Sequence, residues 1–255
     1  MAQMHARQQQ FGSLQTVVVD ALPAGTAPTL LVVLSHGFGA PGDDLVGLGV
    51  SLLDSSPELA QHCRFVFPAA PQDLDEFGMP GGRAWWLINM ARLMQMQQTR
   101  DFKLLTQHRP PGMTEATLEL QTAVRQMQSE WGIKDDQLVI GGFSQGAMVS
   151  TSLILESGLC PAQLVILSGS LLDAPNWQNL AEQHAGCPVL LSHGSHDDIL
   201  PQSAGEDLAQ LLQRSGFTVD VHRFHGGHTI PMTVLETLGS RLEQLSRARS
   251  GRSQA

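Results

Sequence analysis

Gln137-Leu138-Val139-Ile140-Gly141-Gly142-Phe143-Ser144-Gln145-Gly146 is the stretch on which the reading of this chain turns. An apolar run of strand length ends in G-x-S-x-G, the pattern of a nucleophile elbow, in which a serine sits on a strained strand-to-helix turn between small residues. Five residues match by chance often enough that the flanks must decide. Downstream, Ala147 to Glu156 is a mostly apolar run stopped by Ser157-Gly158, which reads as a helix and its end. Strand, turn and helix therefore follow in the required order, with Ser144 exposed at the turn.

Working outward, short apolar runs recur at 16–19, 29–34, 64–67, 138–140, 164–167, 189–191 and 218–224. The later runs are nearly continuous in hydrophobicity, as strands buried on both faces of a parallel sheet are. Helical spacing appears between them at 114–131, where Leu118, Leu120, Val124 and Met127 recur, and again at 205–212 and 233–245. The alternation predicts an α/β fold: a doubly wound, mostly parallel sheet with helices on both faces, and a site beyond the carboxyl ends of the strands. A single domain over 13–246 is expected. The polar ends, 1–12 and 247–255, read as flexible tails.

Composition narrows the function classes. The formal net charge is −9 and the only lysines are Lys103 and Lys134, which argues against a nucleic-acid or anionic-membrane surface. Cys63, Cys160 and Cys187 are odd in number and lack metal-ligand spacing, so they read as buried thiols in a reducing compartment. With no signal-like amino end and no apolar segment of spanning length, the expectation is a cytoplasmic protein without a membrane span.

A serine hydroxyl attacks an acyl carbon only when a histidine takes its proton and a carboxylate orients that histidine. Ser144, an acid at Asp197 or Asp198, and His228 occur in the chain order serine, acid, histidine, each after a predicted strand. An oxyanion hole needs the amide after the nucleophile and a second amide after an early strand. Gln145 supplies the first. His36-Gly37-Phe38-Gly39, after the run Leu30 to Leu34, supplies the second through the Phe38 N–H. No metal or other cofactor is called for. His36 and His193 read as structural, His222 and His225 as packing or solvent-facing, and His196 lacks partners at metal-ligand spacing. Asp43 and Asp44 read as caps of a helix starting near Leu45.

With those motifs in place the chain resembles the phospholipase/carboxylesterase family, which includes the acyl-protein thioesterases. The resemblance rests on Leu34 to Gly39, Pro68 to Pro71, Gly82-Arg83-Ala84-Trp85-Trp86, Gly141 to Gly146, His193 to Pro201 and Gly227-His228. It implies an α/β-hydrolase fold and, through the pattern H-G-x-x-D-P-x-V-P, favours Asp197 over Asp198 as the acid. Two departures stand out. Ala40-Pro41-Gly42 intervenes between the glycine loop and Asp43, where the family commonly has an aspartate at once. The stretch 87–111, with Met90, Met94 and Met96, is longer than usual and reads either as a lid over an acyl pocket or as a surface excursion.

The resulting expectation is a cofactor-independent serine hydrolase that cleaves ester or thioester bonds of a small-molecule or protein-attached acyl substrate through an acyl-enzyme. Its activity should fall when His228 is protonated and resist metal chelators. Trp85 and Trp86 read equally as walls of the substrate pocket or as core, and Met90 is a further candidate wall. An apolar rim around that pocket would support a homodimer. The alternatives are a same-fold dienelactone hydrolase or peptidase, or a non-catalytic hydrolase-fold binding protein. A cysteine nucleophile would favour the dienelactone hydrolase, and a lost triad member the binding protein.

Overall fold

A computed structural model describes residues 3–99, 106–184 and 186–250. Its main sheet uses eight strands: β1 (His5–Phe11), β2 (Leu14–Asp20), β3 (Leu30–Ser35), β4 (Cys63–Pro68), β7 (Leu138–Phe143), β8 (Gln163–Leu167), β9 (Pro188–Gly194) and β10 (Thr218–Phe224). They lie in the order β1-β2-β4-β3-β7-β8-β9-β10, while β5 (Gln72–Asp73) and β6 (Arg83–Ala84) form a separate two-stranded ribbon. β2 runs antiparallel to β1 and β4, and every pairing from β4 through β10 is parallel.

Two apolar layers follow from strand periodicity, since successive side chains point to opposite faces. Leu31 and Val33 of β3, Leu138 and Ile140 of β7, and Leu164 and Ile166 of β8 enter one core. Leu30, Val32, Leu34, Val139, Val165 and Leu167 enter the other. The first face is covered by α4 (Met113–Trp131), α5 (Gln145–Ser157), α6 (Ala174–Ala181) and α7 (Gln202–Arg214). The second is covered by α1 (Val46–Ser55), α2 (Pro57–His62) and α8 (Met232–Ser250), and α3 (Met90–Thr99) lies in the excursion before α4. In α4, Ala116, Leu120, Ala123, Val124 and Met127 make one buried stripe, and Gly132 ends the helix at φ 65°.

The structure corrects three expectations. The described part of the amino end is not a tail: His5 to Phe11 pair with β2 from His5↔Asp20 to Phe11↔Leu14. Backbone pairing needs no apolar alternation at an exposed edge, so Gln8-Gln9-Gln10 hides a strand from a hydrophobicity scan. Arg7 adds an ion pair to Asp20 at 3.1 Å. At the other end α8 runs through Ser250, held by Ser246 Oγ donating to Glu58 at 2.7 Å and by an Arg247–Glu243 pair at 3.0 Å. Residues 251–255 lie outside the described residues. Finally, Asp43 and Asp44 do not cap a helix: α1 starts after Leu45 with no side-chain cap.

Candidate active site

Ser144 occupies the turn between β7 and α5 at φ 54° and ψ −119°, a positive φ that costs a non-glycine residue about 1–3 kcal/mol. The surroundings hold it there. Its N–H donates to Leu167 O of β8 at 2.8 Å, and its carbonyl accepts from Ala147 N and Met148 N at 3.0 and 3.2 Å. Small residues permit the crossing: a Cβ on Gly146 would strike the Ser35 backbone, and one on Gly142 would strike the Ser35 carbonyl oxygen and the Gly146 backbone.

Parallel register brings the other predicted residues to the same edge. Ser35 pairs with Gly142, Phe143 with Leu167, Leu167 with Ser192, and Gly194 with Phe224, so the loops after β3, β7, β9 and β10 emerge together. Asp197 follows β9 and His228 follows β10. His228 Nδ1 lies 2.7 Å from Asp197 Oδ2, with the carboxylate fully enclosed and the imidazole 15% exposed. A Cβ on Gly194 would meet the Gly226 and Gly227 carbonyls, which is how closely the two loops pass.

Asp197 is held from several sides. Oδ1 accepts the Ile199 and Leu200 N–H groups at 3.0 and 2.8 Å. Oδ2 has a second imidazole neighbour, His193 Nε2, at 3.4 Å, and that nitrogen also lies 2.9 Å from Leu200 O. Burial alone would raise the Asp197 pKa, but hydrogen bonds from His193, His228 and Leu200 N–H outweigh it and hold the group well below the ordinary carboxylate range. The carboxylate therefore stays ionised beside His228.

The glycine loop after β3 reaches Ser144: a Cβ on Gly37 would sit 3.3 Å from Ser144 Cβ. His36 stabilises this loop rather than exchanging protons. Its Nδ1 lies 2.8 Å from Gly37 O, and its Nε2 accepts from Ala70 N at 3.0 Å, which fixes the neutral Nδ1–H tautomer. Burial lowers its pKa, consistent with that state. Arg83 clasps the loop from β6, with Gly39 N donating to Arg83 O at 2.9 Å and Arg83 N to Ala40 O at 3.0 Å. Its guanidinium donates to Ala70 O and Pro71 O. Gln145 opens α5, where a helix has no carbonyl for the first N–H groups.

Sequence reasoning missed what the Gln145 side chain does. Its Oε1 accepts the Trp85 N–H at 2.9 Å and its Nε2 donates to Trp86 O at 2.8 Å, tying the tryptophan segment to the start of α5. Trp85 in turn donates its indole N–H to His36 O at 3.0 Å. The motif Gly82 to Trp86 was the available signal for this cross-link, as it was for Arg83. Of the two readings of Trp85 and Trp86, burial favours core: they are 0% and 3% exposed and pack within the first apolar layer. Met90 begins α3, but its side chain lies outside the described residues. Of the 87–111 stretch, 100–105 also lie outside them. Its far end is anchored by Arg109, which pairs with Glu156 at 2.7 Å and Asp173 at 3.4 Å.

A cleft of about 320 Å³ opens beside His228, lined by Asp44, Leu45, Leu48, Phe143, Thr229, Ile230 and Leu235. No cluster of three or more His, Cys, Asp or Glu side chains suited to a metal occurs among the described residues. No described helix is long and apolar enough to cross a membrane.

Comparison with known proteins agrees with this architecture. The chain is 27% identical over 218 residues to acyl-protein thioesterase 1 of Yarrowia lipolytica, covering 80% of this chain and 86% of that protein. It is 26% identical over 244 residues to acyl-protein thioesterase 1 of Emericella nidulans, covering 90% and 96%. Among solved structures, esterase PE8 superposes with a TM-score of 0.67 at 28% identity, covering 86% of this chain and 94% of that one. The carboxylesterase of Mesorhizobium loti, at 19% identity and a TM-score of 0.70 over 93% and 98% of the two chains, shares the fold. The family model described as Phospholipase/Carboxylesterase matches residues 19–246, so the chain belongs to that family of α/β-hydrolases.

Proposed function

We propose that this protein is a serine hydrolase that cleaves carboxylic ester or thioester bonds of an acyl substrate through an acyl-enzyme. The observation that carries the reading is the ionised, enclosed Asp197 bonded to His228 Nδ1 on the strand edge where Ser144 holds a strained elbow. His228 accepts the Ser144 proton at Nε2 as Oγ attacks the acyl carbon, and Asp197 fixes the imidazole tautomer and stabilises the imidazolium. The Phe38 and Gln145 N–H groups receive the developing oxyanion. The carbon–oxygen or carbon–sulfur bond of the leaving group breaks, and the leaving group takes the proton back from His228. Water, deprotonated by the same imidazole, then releases the acid and regenerates Ser144.

The relatives named as thioesterases and esterases support both bond types, so thioester and oxygen ester are both within the proposal. A reducing, cytoplasmic setting belongs to the same reading. Cys63 and Cys187 are buried free thiols, and burial pushes Cys187 up to about 12, which suits inert core residues; Cys160 is exposed rather than buried as the sequence suggested. The test is steady-state hydrolysis of p-nitrophenyl esters of short and long acyl chains beside an acyl thioester. Turnover of at least one series is expected. Absence of turnover on all of them by folded protein would contradict the assignment.

A further inference from the structure

The cleft beside His228 has one charged wall that the catalytic scheme does not use. Asp44 lines it together with Leu45, Leu48, Phe143, Thr229, Ile230 and Leu235. The Asp44 carboxylate is exposed, caps no helix, and makes no hydrogen bond or ion pair with another described residue. Its backbone is nonetheless fixed. Asp44 N donates to Pro41 O at 3.1 Å, and Gly42 packs so closely on Ala69 that a Cβ there would collide. The inserted Ala40-Pro41-Gly42 thus holds a carboxylate at the mouth of an apolar cleft, with exposed Asp43 next to it. Arg83 is committed to Ala70, Pro71 and Asp73 and does not line the cleft.

Chemistry says which part of a substrate faces this cleft. The imidazole returns its proton to the leaving group, so the leaving group departs on the side that His228 lines. We infer that the cleft is a leaving-group subsite for a cationic alcohol or thiol, and that Asp44 is its specificity-determining carboxylate. This rests on the serine-hydrolase reading and names the substrate class within it. The apolar walls, among them Phe143 with its ring 4.7 Å between centroids from the His228 imidazole, accept the methyl or methylene groups around a quaternary or protonated amine, and Asp44 supplies the counter-charge. Multiply anionic leaving groups meet the same carboxylate and are disfavoured.

The experiment uses three thioesters of one acyl chain, whose thiols are thiocholine, its neutral isostere 3,3-dimethylbutanethiol, and anionic 2-mercaptoethanesulfonate. Each kcat/KM is divided by the compound's own hydroxide-catalysed rate to remove intrinsic leaving ability. The expected order is cation, neutral, anion, with each step about three- to tenfold at low salt and smaller at high salt. Asp44→Asn brings the cation-to-neutral ratio to about one, and Asp44→Lys reverses the order. Asp54→Asn, which removes a charge at the far end of α1 outside the cleft, keeps the wild-type ratio. Equal normalised rates in the wild-type protein, or a preference that survives both Asp44 variants, would overturn the inference while leaving the hydrolase reading intact. Hydrolysis of none of the three would overturn both.

Discussion

Asp197 Oδ2 lies between two imidazoles, 2.7 Å from His228 Nδ1 and 3.4 Å from His193 Nε2, while its other oxygen takes two backbone N–H groups. The first contact orients the ring that must move protons. The remaining three hold the carboxylate enclosed and charged, so that it does not turn away from His228.

Replacing that carboxylate by an amide tests its role. Asp197→Asn removes the acceptor that sets the His228 tautomer, and kcat should fall about a thousand- to ten-thousandfold with little change in KM. Steady-state kinetics on a p-nitrophenyl ester reads this. A loss below tenfold would mean another group orients His228.

The same interactions make stability depend on pH. The native Asp197 pKa is depressed, so below the ordinary carboxylate range the unfolded chain binds a proton that the native protein does not. Its contribution is complete above about pH 5 and is lost as pH falls toward the native value. His36 acts at higher pH: its native pKa lies below the ordinary 6.5, so acidification through 6.5 protonates the unfolded chain first and lowers stability. Urea unfolding between pH 4 and 8 should show stability declining on acidification in both windows. In His36→Gln the component starting near pH 6.5 should disappear.

Gly146 tests the elbow's packing. A methyl group there would strike the Ser35 backbone, which no side-chain rotation can relieve. Gly146→Ala should lower unfolding free energy by about 2–3 kcal/mol and disturb Ser144. Denaturant titration checks this, and an unchanged midpoint would contradict the close approach.

Gln145 tests the cross-link between elbow and tryptophan segment. Gln145→Leu strips the buried Trp85 N–H of its acceptor and Trp86 O of its donor, so a loss of about 2–4 kcal/mol is expected. Tryptophan emission should shift as the segment loosens. Native stability with native emission would show the bracket to be dispensable.

Much of the fold was legible because its strands are buried. Leu30 to Leu34, Leu138 to Ile140 and Leu164 to Leu167 are continuous apolar runs, since they feed cores on both faces. β1 was not legible, because an edge strand draws its stability from backbone pairing that leaves no apolar signature in His5 to Gln10. In the candidate site, loop glycines and chain order singled out Ser144, Asp197 and His228, and parallel register puts their loops on one edge of the sheet. The work of Gln145 and Arg83 stayed hidden, because a side chain that bonds to distant backbone has no spacing rule. Trp85 and Trp86 stayed ambiguous for a related reason: an aromatic pair reads the same in sequence whether it faces a pocket or fills the core.

The central claim is that Ser144 is the nucleophile of a competent hydrolase. The direct measurement is incubation of folded protein with a fluorophosphonate, followed by mass spectrometry of the intact chain and its peptides. A single adduct on Ser144, absent from Ser144→Ala and slowed in His228→Ala, is the result predicted here. An unlabelled Ser144 in folded protein, or an adduct that persists in Ser144→Ala, would contradict the account.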